Sequence, residues 1–318
     1  MKEKKELDIV FMGTPEFAVT ILEQLIQEEY NIKAVVTAPD RPAGRGRKLQ
    51  GSAVKECALE HNLPVLQPNN LKDEEFITEL KSYNADLFIV VAFRMLPKVI
   101  WEIPTMGTFN LHGSLLPQYR GAAPINWAII NGEKETGVTT FFIDEKIDTG
   151  QIILSNKMSI GENETAGELH DRMMVLGAKT VAETVELIRK GNAKPQPQPE
   201  GNLKDAPKIN KQDCLIDFNQ PITKVHQFIL GMSPYPTAWI KLMHKPSQQQ
   251  KTLKIFRSER LDDTEHQEIT LSKEDKTLVL KTIKGSLRLL EIQLEGKKRL
   301  NASAFLAGFN PEEWKIIS

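Results

Sequence analysis

The first two hundred residues alternate short apolar runs with segments of helical periodicity. The apolar runs predict strands at residues 7–13, 32–38, 64–68, 86–93, 108–111, 137–144 and 151–160. Apolar residues at helical spacing predict helices that open at Pro15 and that cover residues 52–61, 73–83, 124–132 and 165–191. Repeated strand–helix–strand units are typical of a parallel sheet, so this half of the chain predicts an α/β fold.

Local signals mark where two of these helices begin and end. We expect Thr14 to cap the first helix and Pro15 to take its first position, where a missing N–H costs nothing. The helix predicted over residues 165–191 is long and amphipathic, and it should end at Gly191.

The composition changes after that helix. Residues 192–208 contain four prolines and few apolar residues, which predicts an extended, semi-rigid linker. Beyond the linker the pattern predicts one helix and then short strands at residues 237–243, 252–258, 276–283 and 286–294. We therefore divide the chain into a domain at 1–191, a linker at 192–208 and a small β-rich domain at 209–318, for which we expect a barrel.

Charge and cysteine content narrow the class of protein. The formal net charge is −1, yet residues 1–206 carry 23 basic against 29 acidic side chains and residues 207–318 carry 18 against 13. This modest basic excess fits either an anionic partner or a solvated surface. No apolar run is long enough for a membrane helix or a secretory signal, so we expect a cytoplasmic protein, with Cys57 and Cys214 as buried free thiols.

Asn110 and His112 stand two residues apart at the end of a predicted strand. Side chains in a strand repeat every two residues, so both should share one face. Ligands of parallel α/β sheets bind beyond the carboxyl ends of the strands, which is where this pair should lie. An amide can donate to a developing oxyanion while an imidazole handles a proton. The alternative is a histidine that merely satisfies its hydrogen bonds at a strand end.

Two loops could complete a site around this pair. Residues 114–117 read Ser-Leu-Leu-Pro, and the exposed leucines would suit the wall of a pocket for a flat aromatic ligand, although a buried Ω-loop would look the same. Arg120 adds a cation to this loop. Asp144 and Asp148 bracket a loop between two later strands, and Asp148 near His112 would fix the imidazole, unless these aspartates only cap turns.

Residues 38–51 form a basic segment punctuated by glycine and proline. Its cations are Arg41, Arg45, Arg47 and Lys48. Such a segment cannot form a regular helix, but its backbone can follow a phosphate surface, so we predict a mobile basic finger; a solvated charged loop is the alternative. The Gly-x-Gly-x-x-Gly pattern of dinucleotide-binding proteins is absent after the first strand, and no P-loop is present.

Taken together, these motifs resemble the methionyl-tRNA formyltransferases, a branch of the folate-dependent formyltransferases. The stretches that carry the resemblance are FMGTPEFA, PDRPAGRGRKL, NLHGSLLPQYRGAAPI, GVTTFFIDEKIDTG and PYPTAW, and they fall in order along nearly the whole chain. The resemblance implies a Rossmann-like, mostly parallel catalytic domain and an OB-like terminal barrel that binds tRNA. It also implies formyl transfer from 10-formyltetrahydrofolate to methionyl initiator tRNA, without a metal, and we expect a monomer.

By position, the resemblance assigns roles to residues of this chain. Asn110, His112 and Asp148 match the catalytic trio, and the predicted tRNA contacts are Arg41, Arg45, Arg47 and Lys48. The predicted folate contacts are Phe93, Met95, Ser114, Leu115, Leu116 and Pro117. The chain departs from the family at VVAFRMLP, which is one residue shorter and has Arg94 where a glycine is usual, so the pterin contacts at this loop stay open.

Two other functions compete with this interpretation. A folate-dependent formyltransferase that acts on an amino sugar nucleotide would carry the same trio, but the basic segment and the basic second half of the chain argue against it. The other is a non-catalytic RNA-binding protein built on a degenerate enzyme fold. Such a protein would not need to keep Asn110, His112 and Asp148, so the presence of all three argues against it.

Overall fold

The computed structural model describes residues 2–43 and 48–318, with Ala43 and Lys48 described by their backbone alone. The chain divides into two compact units. The first comprises the residues up to Gly121 together with Gly137–Met158 and His170–Asp205, and the second comprises Ala122–Thr136, Ser159–Leu169 and Ala206–Ser318. The chain thus passes between the units more than once, which a single predicted linker does not describe. The predicted boundaries at 191 and 209 stay a prediction.

The first unit is built on a seven-stranded sheet in the order β10-β9-β7-β6-β1-β2-β5. Neighbours from β7 to β5 run parallel, while β9 pairs antiparallel with β7. In chain order, the strands up to residue 206 are β1 (Asp8–Gly13), β2 (Asn31–Val36), β3 (Arg41–Ala43), β4 (Lys48–Gln50), β5 (Val65–Leu66), β6 (Leu87–Val91), β7 (Thr108–His112), β8 (Arg120–Gly121), β9 (Glu135–Phe142), β10 (Ile152–Ser159) and β11 (Asp205–Ala206). The predicted α/β fold with a mostly parallel sheet is confirmed.

The central strands of this sheet are apolar and buried. Every residue of β6 is buried, which is typical of a parallel strand in the middle of such a sheet. Along the chain up to this point the helices are α1 (Glu16–Gln27), α2 (Ala53–Glu60), α3 (Glu74–Ser82), α4 (Lys98–Trp101), α5 (Pro124–Ile130) and α6 (Ala166–Arg189), of which α5 lies in the second unit. Short 3₁₀ turns lie at Lys4–Glu6, Lys211–Cys214 and Pro311–Glu313.

The predicted start of the first helix is wrong by one residue. The helix α1 begins at Glu16, Pro15 occupies the N-cap position with extended backbone, and no side chain caps the helix. Pro15 has no N–H and its ring fixes its own backbone, so it fits just outside the helix as well as at the first turn. The end of α6 follows the prediction more closely, because Gly191 adopts a positive φ of 68° just beyond Arg189.

The second unit is a barrel-like antiparallel sheet. Its strands are β12 (Ala238–His244), β13 (Gln250–Asp262), β14 (Thr270–Glu274), β15 (Thr277–Thr282), β16 (Gly285–Leu294), β17 (Leu300–Asn301) and β18 (Trp314–Ile316). They follow the order β14-β15-β16-β13-β12-β18, and the two ends of this path, β14 and β18, contact each other. The sheet is therefore nearly closed, and the predicted smaller β-rich domain is confirmed.

Two helices pack against the sheet of the second unit. The helix α7 (Ile222–Gly231) contacts β13 and β16 and also packs on α5, while α8 (Ala302–Leu306) contacts β15 and β16. Val225 and Ile229 of α7 join Ile240, Ile255 and Leu289 in one apolar core. Buried positions of β12 alternate with less buried ones over Ala238–Leu242, as expected for a strand with one face toward a core, and no residue of β16 is fully exposed.

Candidate active site

The strand β7 ends at the candidate site. It is hydrogen-bonded to β6 on one side and to β9 on the other, with Asn110 opposite Val90 and Phe141. His112 is only 6% exposed, whereas Asn110 is half-buried. Within the part of the chain that the structure describes, the Asn110 amide forms no hydrogen bond with protein atoms. A half-buried amide of this kind can donate to a ligand oxygen.

The tautomer of His112 is fixed by a backbone carbonyl. Its Nε2 lies 2.7 Å from the carbonyl oxygen of Tyr119. A carbonyl oxygen only accepts hydrogen bonds, so Nε2 carries a proton and the neutral imidazole keeps its lone pair on Nδ1. Asp148 was expected to fix the ring, but the carbonyl of Tyr119 forms that hydrogen bond.

Asp148 faces the other nitrogen of His112. Its Oδ2 lies 3.7 Å from Nδ1, too far for a hydrogen bond but close enough for strong attraction when the imidazole is protonated. The same Oδ2 accepts a 3.0 Å hydrogen bond from the backbone N–H of Gly121. Asp148 adopts a positive φ of 55°, which is uncommon for residues with a side chain and tolerated best by Asn and Asp.

Asp144, the other aspartate of this loop, has a different environment. It is exposed, and its Oδ1 accepts hydrogen bonds from the Lys146 N–H at 3.0 Å and from the Thr149 hydroxyl at 2.7 Å. These contacts are those of an Asx turn. Turn-capping aspartates and site aspartates look the same in sequence, and of these two Asp148 is the one that lies beside the imidazole.

The loop that follows His112 is held by its own hydrogen bonds. The hydroxyl of Ser114, which is fully buried, donates to the carbonyl of Gln118 at 2.6 Å. Thr139 of β9 donates to the Ser114 carbonyl at 2.7 Å and accepts from the Leu116 N–H at 3.1 Å. Ser114 therefore shapes the loop through its own contacts. Leu116 is buried, while Leu115 and Pro117 are partly exposed; their predicted folate contacts stay predictions.

Arg94 ties the Phe93–Met95 loop to the loop after β5. Its guanidinium donates to the carbonyl of Asn69 at 3.0 Å and to the carbonyl of Pro68, and it lies over the Phe93 ring at 5.5 Å from the centroid. Burial, followed by repulsion from Arg41, lowers the pKa of Arg94. Met95 is 65% exposed. Arg94 thus anchors this loop, and the predicted folate contacts of Phe93 and Met95 stay predictions.

The basic segment is only partly described. Arg41 and Lys48 belong to β3 and β4, which pair antiparallel as a short ribbon, and Arg41 is exposed. Of Lys48 only the backbone is described, and Arg45 and Arg47 lie outside the described residues. Asp40 precedes the ribbon and binds Gln67 and Lys55, which together lower the pKa of Asp40. The predicted tRNA contacts of the segment stay predictions.

Gln198, in the proline-rich segment, was not predicted as a site residue. Its side chain donates to the carbonyls of Asp148 and Gly150 at 2.9 and 2.8 Å. Its Oε1 accepts from the Arg120 Nε at 3.0 Å. No local signal could have identified it, because a glutamine between prolines is typical of an extended linker.

A cavity of about 680 Å³ borders this region. Its lining includes Arg120, Asp144, Lys146, Thr149, Gln198 and Glu200. Among the described residues, no cluster of three or more His, Cys, Asp or Glu side chains is arranged to hold a metal ion. No described helix is both long and apolar enough to cross a membrane.

Comparison with known proteins gives matches over nearly the whole chain. Residues 7–185 match the formyl transferase family and residues 208–310 match the formyl transferase C-terminal domain. The methionyl-tRNA formyltransferase of Bacteroides thetaiotaomicron is 50% identical over 313 residues, covering 96% of this chain and 97% of that protein. The methionyl-tRNA formyltransferase of Flavobacterium johnsoniae is 52% identical over 308 residues, covering 96% of each.

Solved structures with more distant sequences share the fold. WlaRD, a sugar 3N-formyl transferase crystallised in the presence of dTDP and 5-N-formyl-THF, superposes with a TM-score of 0.65 at 22% identity, covering 92% of this chain and 99% of that one. HypX from Aquifex aeolicus in complex with tetrahydrofolic acid superposes with a TM-score of 0.64 at 19% identity, covering 94% of this chain and 46% of that one.

Proposed function

Because this chain belongs to the formyl transferase family, we propose that it transfers the formyl group of 10-formyltetrahydrofolate to the α-amino group of methionyl initiator tRNA. Relatives about half identical over nearly their full length are named methionyl-tRNA formyltransferases, which supports this acceptor. One observation carries the chemistry: the Asp148 carboxylate lies 3.7 Å from Nδ1 of His112 at the end of β7, the strand that also carries Asn110.

The reaction proceeds by direct attack of the amine. The neutral α-amino nitrogen bonds to the formyl carbon, and the carbonyl oxygen becomes an oxyanion to which the Asn110 amide donates. His112, whose Nε2–H is held by Tyr119, takes the amine proton at Nδ1. The intermediate then collapses: the bond between the formyl carbon and folate N10 breaks as the proton on Nδ1 of His112 passes to N10, so tetrahydrofolate leaves and the imidazole is neutral again.

Asp148 acts through charge in this scheme. When Nδ1 of His112 gains a proton, an imidazolium forms 3.7 Å from the Asp148 carboxylate. The carboxylate stabilises that cation, and the imidazolium N–H can also approach the oxyanion. The Gly121 N–H holds the carboxylate in place on its other side.

The protein's own nucleophiles are poorly suited to a covalent intermediate. Both cysteines are buried, and burial raises the pKa of Cys57 to about 11 and raises that of Cys214 as well. The Ser114 hydroxyl is committed to the Gln118 carbonyl. Since the donor already carries an activated formyl group, direct transfer needs no adduct.

The two substrates are assigned to different surfaces. Phe93, Met95 and the Ser114–Pro117 loop would surround the pterin of the donor, with the loop shaped by Thr139. Arg41, Arg45, Arg47 and Lys48 would contact the phosphates of the tRNA, together with the basic second half of the chain. In this assignment residues 1–191 form the catalytic domain and residues 209–318 form the tRNA-binding domain.

A formyl-transfer assay with three acceptors tests this function. The protein is incubated with formyl-labelled 10-formyltetrahydrofolate and, in separate reactions, methionyl initiator tRNA, methionyl elongator tRNA and a dTDP-linked amino sugar. We expect labelled formylmethionine from the initiator tRNA and much less from the elongator. Label in the amino sugar alone would assign the chain to the sugar-modifying branch, and no transfer to any acceptor would refute the proposed chemistry.

A further inference from the structure

Gln198 uses its whole hydrogen-bonding capacity at the candidate site. The two N–H groups of its amide donate to the carbonyl oxygens of Asp148 and Gly150. Its carbonyl accepts from both Nε and Nη2 of Arg120. A primary amide offers two donors and two acceptor positions, so all four are occupied. An arrangement this complete fixes the side chain and the groups that it touches.

The backbone on both sides of Gln198 is anchored to the same unit. Gln196 exchanges two backbone hydrogen bonds of 2.8 Å with Ile152, at the start of β10. Farther along, the carbonyl of Lys204 accepts a 2.6 Å hydrogen bond from the Tyr119 N–H. The segment predicted as a linker is therefore pinned before and after Gln198.

Two backbone segments hold the Asp148 carboxylate in place, and Gln198 is hydrogen-bonded to a residue of each. One of these is the backbone at Asp148, which adopts a positive φ of 55° that is uncommon for residues with a side chain. The other is the Gly121 N–H, which donates to the carboxylate and directly follows Arg120 in the chain. Gln198 joins these two segments through a single side chain.

We propose that Gln198 is a positioning residue that sets the distance between the Asp148 carboxylate and Nδ1 of His112. The inference rests on the proposed function, because it gives Asp148 a part in stabilising the protonated imidazole. Gln198 itself touches neither His112 nor the transferring group. Its effect should therefore appear in the rate of the chemical step and depend on Asp148.

The test compares Gln198→Glu and Gln198→Ala with wild type in the assay with methionyl initiator tRNA. Gln198→Glu keeps the acceptor for Arg120 but removes both donors to the loop. We expect kcat to fall about 10- to 100-fold in both variants, the loss typical of a catalytic group displaced by about 1 Å. The KM of either substrate should change less than about threefold. Gln196→Ala is the matched control, since that residue pairs through its backbone, and it should keep wild-type kcat.

A double-mutant cycle separates positioning from general structural support. In an Asp148→Asn background, Gln198→Glu should cost less than about threefold in kcat, because the charge that it positions is already gone. Unchanged kcat in the single variants would overturn the proposal, and so would equal losses in both backgrounds. A fall in melting temperature together with raised KM values in both variants would also overturn it. Wild-type turnover in the same assay reports separately on the proposed function.

Discussion

At the scale of single residues, one imidazole determines how the site is organised. The sequence pattern Asn-x-His predicts that Asn110 and His112 share a face of a strand, since that follows from the two-residue period alone. The partner that fixes the tautomer is a backbone oxygen seven residues further on, at Tyr119, and a backbone carbonyl leaves no signature in a sequence. The same holds for the Gly121 N–H that binds Asp148.

Replacing Asp148 by Asn tests the role of its charge. An asparagine oxygen can still accept from the Gly121 N–H, so the loop should keep its structure, but the imidazolium of His112 loses its counter-charge. We expect kcat to fall by about 10²–10⁴-fold, in the range of losses for general acid–base groups, while KM changes little. Steady-state kinetics together with a melting curve would check this. A variant with wild-type kcat would remove Asp148 from the mechanism.

At the scale of elements, the turn between β9 and β10 delivers Asp148 to the site. Gly150 lies so close to β9 that an added Cβ would stand 1.6 Å from the carbonyl oxygen of Phe142. That neighbour is backbone, so the strand or the turn must move to admit a side chain. A glycine is therefore required here by packing.

Gly150→Ala should consequently displace the loop that carries Asp148. We expect a lower melting temperature and a loss of kcat of at least about tenfold, since small displacements of catalytic groups are costly. Gly308→Ala is the matched control, because nothing lies within 4 Å of its Cβ position. Equal activity in the two variants would show that the turn tolerates the shift.

A partly buried charge cluster lies near the end of the long helix α6 and ties it to other parts of the first unit. Glu186 accepts hydrogen bonds from Tyr30 at 2.9 Å and from Nε and Nη2 of Arg189 at 3.0 and 2.9 Å. The hydrogen bonds from Arg189, more than any other contact, lower the pKa of Glu186 to about 2. Arg189 also donates to the carbonyl of Lys2, so the cluster joins the helix to the start of the chain.

This cluster should make stability depend on pH in the acid range. Because the pKa of Glu186 is lower in the folded chain, its contribution is present above about pH 4.5 and is lost as the pH falls toward 2. Glu186→Gln should lower the free energy of unfolding at pH 7 by about 2 kcal/mol, a value discounted for partial exposure. The difference from wild type should shrink below pH 4 in urea titrations. Glu183→Gln, at an exposed position of the same helix, should show neither effect.

Helices and strands were easier to predict from the sequence than the hydrogen bonds that hold the loops around them in place. Apolar runs and helical spacing identified the sheet and α6, because burial dictates both patterns. The proline-rich segment was predicted as a linker, yet Gln196 and Gln198 bind the first unit through backbone and amide groups that have no periodic signal. Arg94 could be recognised as unusual, but its contacts with the carbonyls of Pro68 and Asn69 depend on the folded chain.

At the scale of the whole molecule, charge is distributed unevenly along the chain. Residues 1–206 have a net formal charge of −6 and residues 207–318 one of +5, while the basic segment lies within the acidic part. A polyanionic substrate would be attracted to the basic regions and repelled elsewhere, which favours a defined orientation. Such binding should weaken steeply as the salt concentration rises, because the release of counterions from the nucleic acid is then less favourable.

Salt titration of tRNA binding tests this distribution. We expect the logarithm of the association constant to fall linearly with the logarithm of the salt concentration, and Arg41→Ala should reduce the slope by about one unit, the value for one phosphate contact. Lys72→Ala, an exposed lysine outside the basic segment, is the control and should leave the slope unchanged. An unchanged slope in Arg41→Ala would exclude that residue from the phosphate contacts.

The most direct test of the central claim is a single-turnover measurement of labelled formyl transfer to methionyl initiator tRNA by wild type and Asn110→Asp. The substitution keeps the shape of the side chain but places a negative charge where the oxyanion develops. We predict a rate at least about 10²–10³-fold lower, the usual loss for a removed oxyanion donor, with donor binding largely retained. Transfer by Asn110→Asp at close to the wild-type rate would contradict it.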